Sequence, residues 1–247
     1  MHGHENEARL DTARRNLVKA LGVVAAVGAA TLARPARATG LCFLAGTRIR
    51  TRAGDQAVET LAAGDEVLTI TGEFRPIQWI SHTRYERGDK PWVREVLPVR
   101  IRRSAIADGA PSADLLVSRA HALYIDGLLI PAGDLVNGET IVIDDAEALT
   151  ALDYFHLKLE SHDVILAEGA PCETLQRVNE SAANFADYLR RFGAAESAPY
   201  APVVSYNGGR SQLASRLRSA ASPWVDRRTA FDIVRDRLEQ RSLALSD

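Results

Sequence analysis

From residue 47 to about residue 175 the chain alternates short apolar runs with turn signals. Residues 47–51 alternate polar and apolar positions, and Arg52-Ala53-Gly54-Asp55 then reads as a turn. Residues 56–61 lead to a second turn at Ala63-Gly64-Asp65, followed by a strand over 66–71. Gly72 breaks that strand and residues 75–81 resume it. The same pattern predicts strands over 97–102, 114–117, 122–125, 128–131, 140–143, 154–160 and 164–167. Many short Val- and Ile-rich strands at this spacing predict a mainly β, all-β domain rather than βαβ units. No crossover helices separate the strands, and neither Gly-rich phosphate fingerprint occurs, which argues against Rossmann and P-loop enzymes.

The period changes near residue 179. Asn179 is placed to cap a helix whose Phe185, Tyr188, Leu189 and Phe192 share one face. A stretch punctuated by Pro, Ser and Gly over 194–209 includes a turn at Asn207-Gly208-Gly209. Further helices are predicted over 211–221 and 227–245, the last with Phe231, Val234 and Leu238 on one side. Residues 176–247 therefore read as an α-helical C-terminal extension packed on the β domain.

Ahead of the strands, residues 20–33 carry no charge, yet the run is too short and too rich in Ala and Gly for a stable transmembrane span. It has the length of a signal-peptide core. Arg14-Arg15 in Thr12-Ala13-Arg14-Arg15-Asn16-Leu17-Val18-Lys19 resembles a twin-arginine export signal. Ala36-Arg37-Ala38 offers a cleavage site between Ala38 and Thr39. The expected organisation is a signal peptide over 1–38, a short segment over 39–41, a β domain over 42–175 and the extension. The expected location is periplasmic or extracellular, reached through the twin-arginine export machinery.

Composition narrows the function. The 247 residues hold 30 Lys+Arg against 32 Asp+Glu, so no basic excess points to nucleic acid. The 46% hydrophobic content is that of a folded chain. The two cysteines, Cys42 and Cys172, are too few for a disulfide scaffold or a Cys₄ metal site. A zinc site from Cys42, His121, His156 and Cys172 is conceivable by ligand type alone, but the ligands lie far apart in sequence. No metal and no cofactor are expected.

Cys42 stands where the β domain begins, and its thiol has one special option there. The sulfur can attack the carbonyl carbon of Leu41 through a five-membered ring, turning the Leu41–Cys42 peptide bond into a thioester. This N–S acyl shift needs a strained amide, a proton for the leaving nitrogen and a stabilised oxyanion. Histidine is the usual proton donor near neutral pH. Ser118-Arg119-Ala120-His121 places a hydroxyl and an imidazole three residues apart, directly after an apolar strand, and His156 and His162 follow on a later one. Cys172 reads as a small core residue, with a minor option of trapping the thioester or pairing with Cys42.

Four motifs in order carry a family resemblance: Cys42-Phe-Leu-Ala-Gly-Thr-Arg-Ile, the Ala-Gly-Asp-Glu-Val-Leu-Thr stretch over 63–69, Ser118-x-x-His121, and the His162-Asp-Val-Ile-Leu-Ala-Glu-Gly run. Together they resemble a Hint domain, the fold shared by Hedgehog autoprocessing domains and inteins, and look closest to its bacterial stand-alone branch. The resemblance implies a compact, horseshoe-like all-β domain that cleaves itself once, its own chain being the substrate. It makes Cys42 the nucleophile and His121 the proton donor to the leaving nitrogen. Ser118 stands where Thr is more usual and would position the scissile bond. His156 falls near the place of an assisting Asp, and His162 resembles the late histidine that serves the carboxy-terminal reaction of inteins. Inteins end in His-Asn, whereas Glu173-Thr174 stand here. Splicing is therefore not expected, and an unidentified nucleophile would resolve the thioester. The competing expectation is an exported β module with degenerate Hint chemistry, used for binding or structure and joined by a Cys42–Cys172 disulfide.

Overall fold

The computed structural model describes residues 41–176, 185–193, 198–204 and 228–246. The expected export signal, with Ala38 and Thr39, and the helix expected over 211–221 lie outside the described residues.

Among the described residues, fourteen strands form two antiparallel sheets. The six-stranded sheet runs β11 (Ile141–Ile143), β7 (Val99–Ile101), β8 (Leu115–Val117), β1 (Phe43–Leu44), β12 (Ala151–Lys158), β6 (Trp79–Glu86). The eight-stranded sheet runs β10 (Leu128–Pro131), β9 (Ala122–Ile125), β14 (Ala170–Glu173), β13 (Val164–Ala167), β2 (Arg48–Thr51), β4 (Glu66–Leu68), β5 (Phe74–Pro76), with β3 (Gly54–Ala57) paired to β2. The alternation read from the sequence is visible in burial: Ile49 and Thr51 of β2 face inward while Arg48 and Arg50 are exposed. One large apolar core joins the sheets through Phe43, Ile49, Val117, Leu123, Ile165 and their neighbours.

Residues 58–60, which lead to the turn at Ala63-Gly64-Asp65, form a 3₁₀ turn. Two local readings change. The expected strand over 75–81 is two elements, β5 and β6, with Ile77 and Gln78 between them. Strand β14, unmarked by alternation, arises by pairing with β13 across a two-residue turn at Glu168-Gly169. Both turn residues take positive φ, 48° and 74°, the geometry that matches the twist of a tight hairpin.

Helix α1 (Phe185–Phe192) buries Tyr188, half-buries Phe192 and leaves Leu189 exposed, so the apolar stripe is narrower than its spacing predicts. Helix α2 (Ala230–Ser246) buries Phe231, Val234 and Leu238 in the main core. Arg237 pairs with Asp126 at 2.7 Å and Arg241 with Asp108 at 2.6 Å, fixing the helix against the β domain. Residues 198–204 run parallel to the edge strand β10. Leu129 donates its N–H to Pro202 O at 3.0 Å and accepts from Val204 N–H at 2.9 Å.

Candidate active site

Strand β1 lies between β8 and β12, and its register builds the site. Phe43 pairs with Phe155 on β12 and with Val117 on β8. Continuing each ladder by one residue sets Cys42 opposite His156 on one side and opposite Ser118 on the other. Directly opposed residues of antiparallel strands project to the same face. Three side chains remote in sequence thus share one face because two short ladders are in step.

The contacts follow that placement. The Cys42 thiol and His156 Nε2 are in direct hydrogen-bond contact. The Cys42 N–H donates to Ser118 Oγ at 3.0 Å, and the Ser118 N–H donates to the Cys42 carbonyl at 2.9 Å. The Ser118 hydroxyl also interacts with the Cys42 thiol. All three side chains are buried. His121 follows from Ser118 through a turn in which its N–H reaches Ser118 O at 3.1 Å. Its ring stacks obliquely on Phe43, 4.3 Å between centroids.

Burial sets the protonation states. Desolvation pushes the Cys42 thiol well above its ordinary value, and the Ser118 hydroxyl offsets this only in part, so the resting sulfur is a neutral thiol. Burial lowers His156 to about 4, which leaves a neutral imidazole able to accept the thiol proton. His121 is lowered further, to about 3, by burial and by neighbouring His156. A backbone contact from Leu41 works the other way, favouring the protonated form as a carbonyl acceptor does. Neither His121 nitrogen has a hydrogen-bond partner of normal geometry. Among the described residues no other buried side-chain nitrogen or oxygen lacks a hydrogen bond of normal geometry.

His162 is held differently. It is buried, not surface-facing. Its Nδ1 accepts from the Tyr200 N–H at 2.9 Å, so Nε2 carries the proton donated to Glu173 Oε2 at 3.2 Å. Glu173 Oε1 accepts from the Ala122 N–H at 2.7 Å. Thr174 is tied to Asp163 through its N–H at 2.8 Å and its hydroxyl at 2.9 Å. Glu173 marked only a departure from a motif in the sequence; in the fold it is the partner of His162. Nothing local could have shown that the Tyr200 backbone closes the other side of the ring.

The two cysteines are free thiols. Cys42 belongs to a cluster with Leu44, Val96, Leu152 and Tyr154, while Cys172 on β14 packs in the main core. The expected Cys42–Cys172 bridge is not formed, because the sulfurs occupy separate clusters. Among the described residues no group of three or more His, Cys, Asp or Glu is arranged to hold a metal ion. No described helix is long and apolar enough to cross a membrane.

A family profile for the Hint domain matches residues 41–179, more than half of the chain. The chain therefore belongs to the Hint domain family. Similar solved structures include the crystal structure of the MchDnaB-1 intein, 15% identical, covering 52% of this chain and 98% of that one, with a TM-score of 0.37. The bacterial intein-like domain from Clostridium thermocellum is 15% identical and covers 54% of this chain and 97% of that one, with a TM-score of 0.39. The gp41-1 intein is 11% identical, covering 53% and 97%, also with a TM-score of 0.39. No curated protein matches the chain significantly.

Proposed function

We propose that this chain is an autoprocessing Hint domain that cuts its own Leu41–Cys42 bond once, without splicing. The observation that carries the reading is the placement of Cys42 between His156 and Ser118, with His121 beside the Leu41 backbone.

The chemistry follows from that placement. Neutral His156 takes the thiol proton as Cys42 Sγ attacks the Leu41 carbonyl carbon, so no buried thiolate has to exist in the resting site. Ser118 holds the Cys42 N–H, keeping the amide aligned during attack. Negative charge then builds on the Leu41 carbonyl oxygen and raises the basicity of His121, which is neutral at rest. The proton taken up by His156 is relayed to neighbouring His121, which passes it to the Cys42 nitrogen as the C–N bond breaks, leaving both imidazoles neutral again. The C–S bond has replaced the C–N bond, and the thiol proton has in effect moved to the new amine. Water or another nucleophile then attacks the thioester; with water the products are a Leu41 carboxylate and a chain beginning at Cys42.

Two features support stopping there. Thr174 has no side-chain amide with which to form a succinimide. His162 has both ring nitrogens engaged, one by Glu173 and one by Tyr200.

Intact mass spectrometry of the full chain and of Cys42→Ala, with and without hydroxylamine or dithiothreitol, tests the reading. The wild type is expected to yield a fragment starting at Cys42, released faster by thiol, with no cut after Glu173 or Thr174. Cys42→Ala is expected to stay whole at that bond. Equal N-termini for both, insensitive to thiol, would sink the proposal.

We further propose export by the twin-arginine route, from the Arg14-Arg15 pair, the uncharged run over 20–33 and the Ala36-Arg37-Ala38 site.

A further inference from the structure

Leu41 contributes the acyl group in the proposed reaction, and its side chain has a seat of its own. It is half-buried in a small apolar cluster separate from the main core, made with Trp79, Leu175, Tyr188 and Phe192. Trp79 opens β6, and Leu175 follows β14, tied down by its N–H to Leu157 O at 2.7 Å. Tyr188 and Phe192 come from α1, in the C-terminal extension. The Trp79 and Tyr188 rings meet edge to face at 5.4 Å between centroids, and Tyr188 meets Phe192 at 5.3 Å. Two walls of the seat thus belong to the β domain and the third is a helix that the domain does not itself contain.

We propose that α1 is part of the cleavage site: with Trp79 and Leu175 it forms an apolar subsite that grips the side chain of residue 41 and selects a leucine-sized acyl residue. This rests on the self-cleavage reading above. The physical argument is pre-organisation. Cys42 is fixed on its sulfur and on its nitrogen by His156 and Ser118, but those contacts leave the acyl side free to turn. Holding the Leu41 side chain fixes the carbonyl against Sγ and His121, and a misplaced carbonyl loses rate steeply. Tyr188 and Phe192 act here as positioning residues, since they belong to the apolar cluster that Leu41 packs into and not to the reacting atoms. A polar or small residue at 41 leaves the seat poorly filled. A residue larger than leucine overfills it, as in any close-packed site.

The test uses the full chain in a crossed set: Leu41→Ala, Leu41→Phe and Tyr188→Ala, with the two corresponding double variants. The rate of hydroxylamine-induced release is read by mass spectrometry. Leu41→Ala and Tyr188→Ala are each expected to slow release about tenfold, and their combination little further, because both empty one seat. Leu41→Phe is expected to be slow in the wild-type background and to recover several-fold with Tyr188→Ala. A structural role for Tyr188 alone cannot produce that change of preference. A wild type that cuts, together with a Tyr188→Ala that cuts equally fast or fails to relieve Leu41→Phe, overturns the subsite. A wild type that never cuts overturns the self-cleavage reading instead, and with it any catalytic use of the seat. Docking itself is read separately in the uncleavable Cys42→Ala background, where Leu41→Ala should speed hydrogen exchange over 185–192. Unchanged exchange there shows that Leu41 does not hold the helix and overturns the seat whatever the chemistry does.

Discussion

At the residue scale the candidate site is a group of neutral, buried polar side chains. His156 is placed to accept the Cys42 proton, and Ser118 holds the Cys42 amide. Loss of a positioned base costs about 10²–10⁴ in rate. His156→Ala is therefore expected to slow thiol-induced cleavage about a hundredfold or more, whereas Ser118→Thr keeps most of the rate, since the hydroxyl remains; timed mass spectrometry checks both. The same burial makes the fold acid-sensitive. The folded values of His121 and His156, about 3 and about 4, lie below an unfolded value near 6.5. The unfolded chain binds more protons throughout that window, so stability is lost as pH falls from about 6.5 toward the folded values. Each histidine is expected to cost about 2 kcal/mol between pH 7 and pH 5, at about 1.4 kcal/mol per pH unit. Urea unfolding at the two pH values measures this, and a flat profile would contradict it.

At the element scale, short strands owe their positions to pairing more than to their own sequences. Strand β1 is only two residues long, but it is held between β8 and β12 and sets the alignment of Cys42. The extension contributes in three separate places. Helix α1 joins the apolar cluster that Leu41 packs into, residues 198–204 line the β10 edge and engage His162, and α2 completes the main core. Leu238 is buried in that core on α2. Leu238→Ala is expected to destabilise the fold by about 2–5 kcal/mol, the range for deleting a buried leucine. Leu243, on the exposed side of the same helix, is expected to tolerate Leu243→Ala within about 0.5 kcal/mol. Thermal or denaturant melts compare the two, and equal losses would show that α2 is not docked through the Leu238 face.

At the scale of the whole molecule, the proposed cut lies between the proposed export signal and a domain that must fold before it can react. The twin-arginine route generally carries folded cargo, so under the two proposals folding, cleavage and export would compete for the same chain. Replacing Arg14 and Arg15 by Lys is expected to leave the protein in the cytoplasmic fraction. Cys42→Ala alone is expected to leave export intact while altering the N-terminus of the product. Cell fractionation with N-terminal mass analysis checks this; export that ignores the arginine pair would remove the twin-arginine proposal.

The β class, most strands, the α2 face and the candidates Cys42, Ser118 and His121 were legible in the sequence. Each rests on a local signal: alternation, helical spacing, or a short motif beside an apolar strand. His156 was visible as a histidine, but its contact with Cys42 depends on the register of strands 114 residues apart. The same holds for the pairing of His162 with Glu173 and Tyr200, and for the Leu41 seat, whose walls come from three distant segments. Local patterning decides which residues face inward. Only closure of the sheets and docking of the extension decides which inward-facing residues meet, because those contacts are made across the chain.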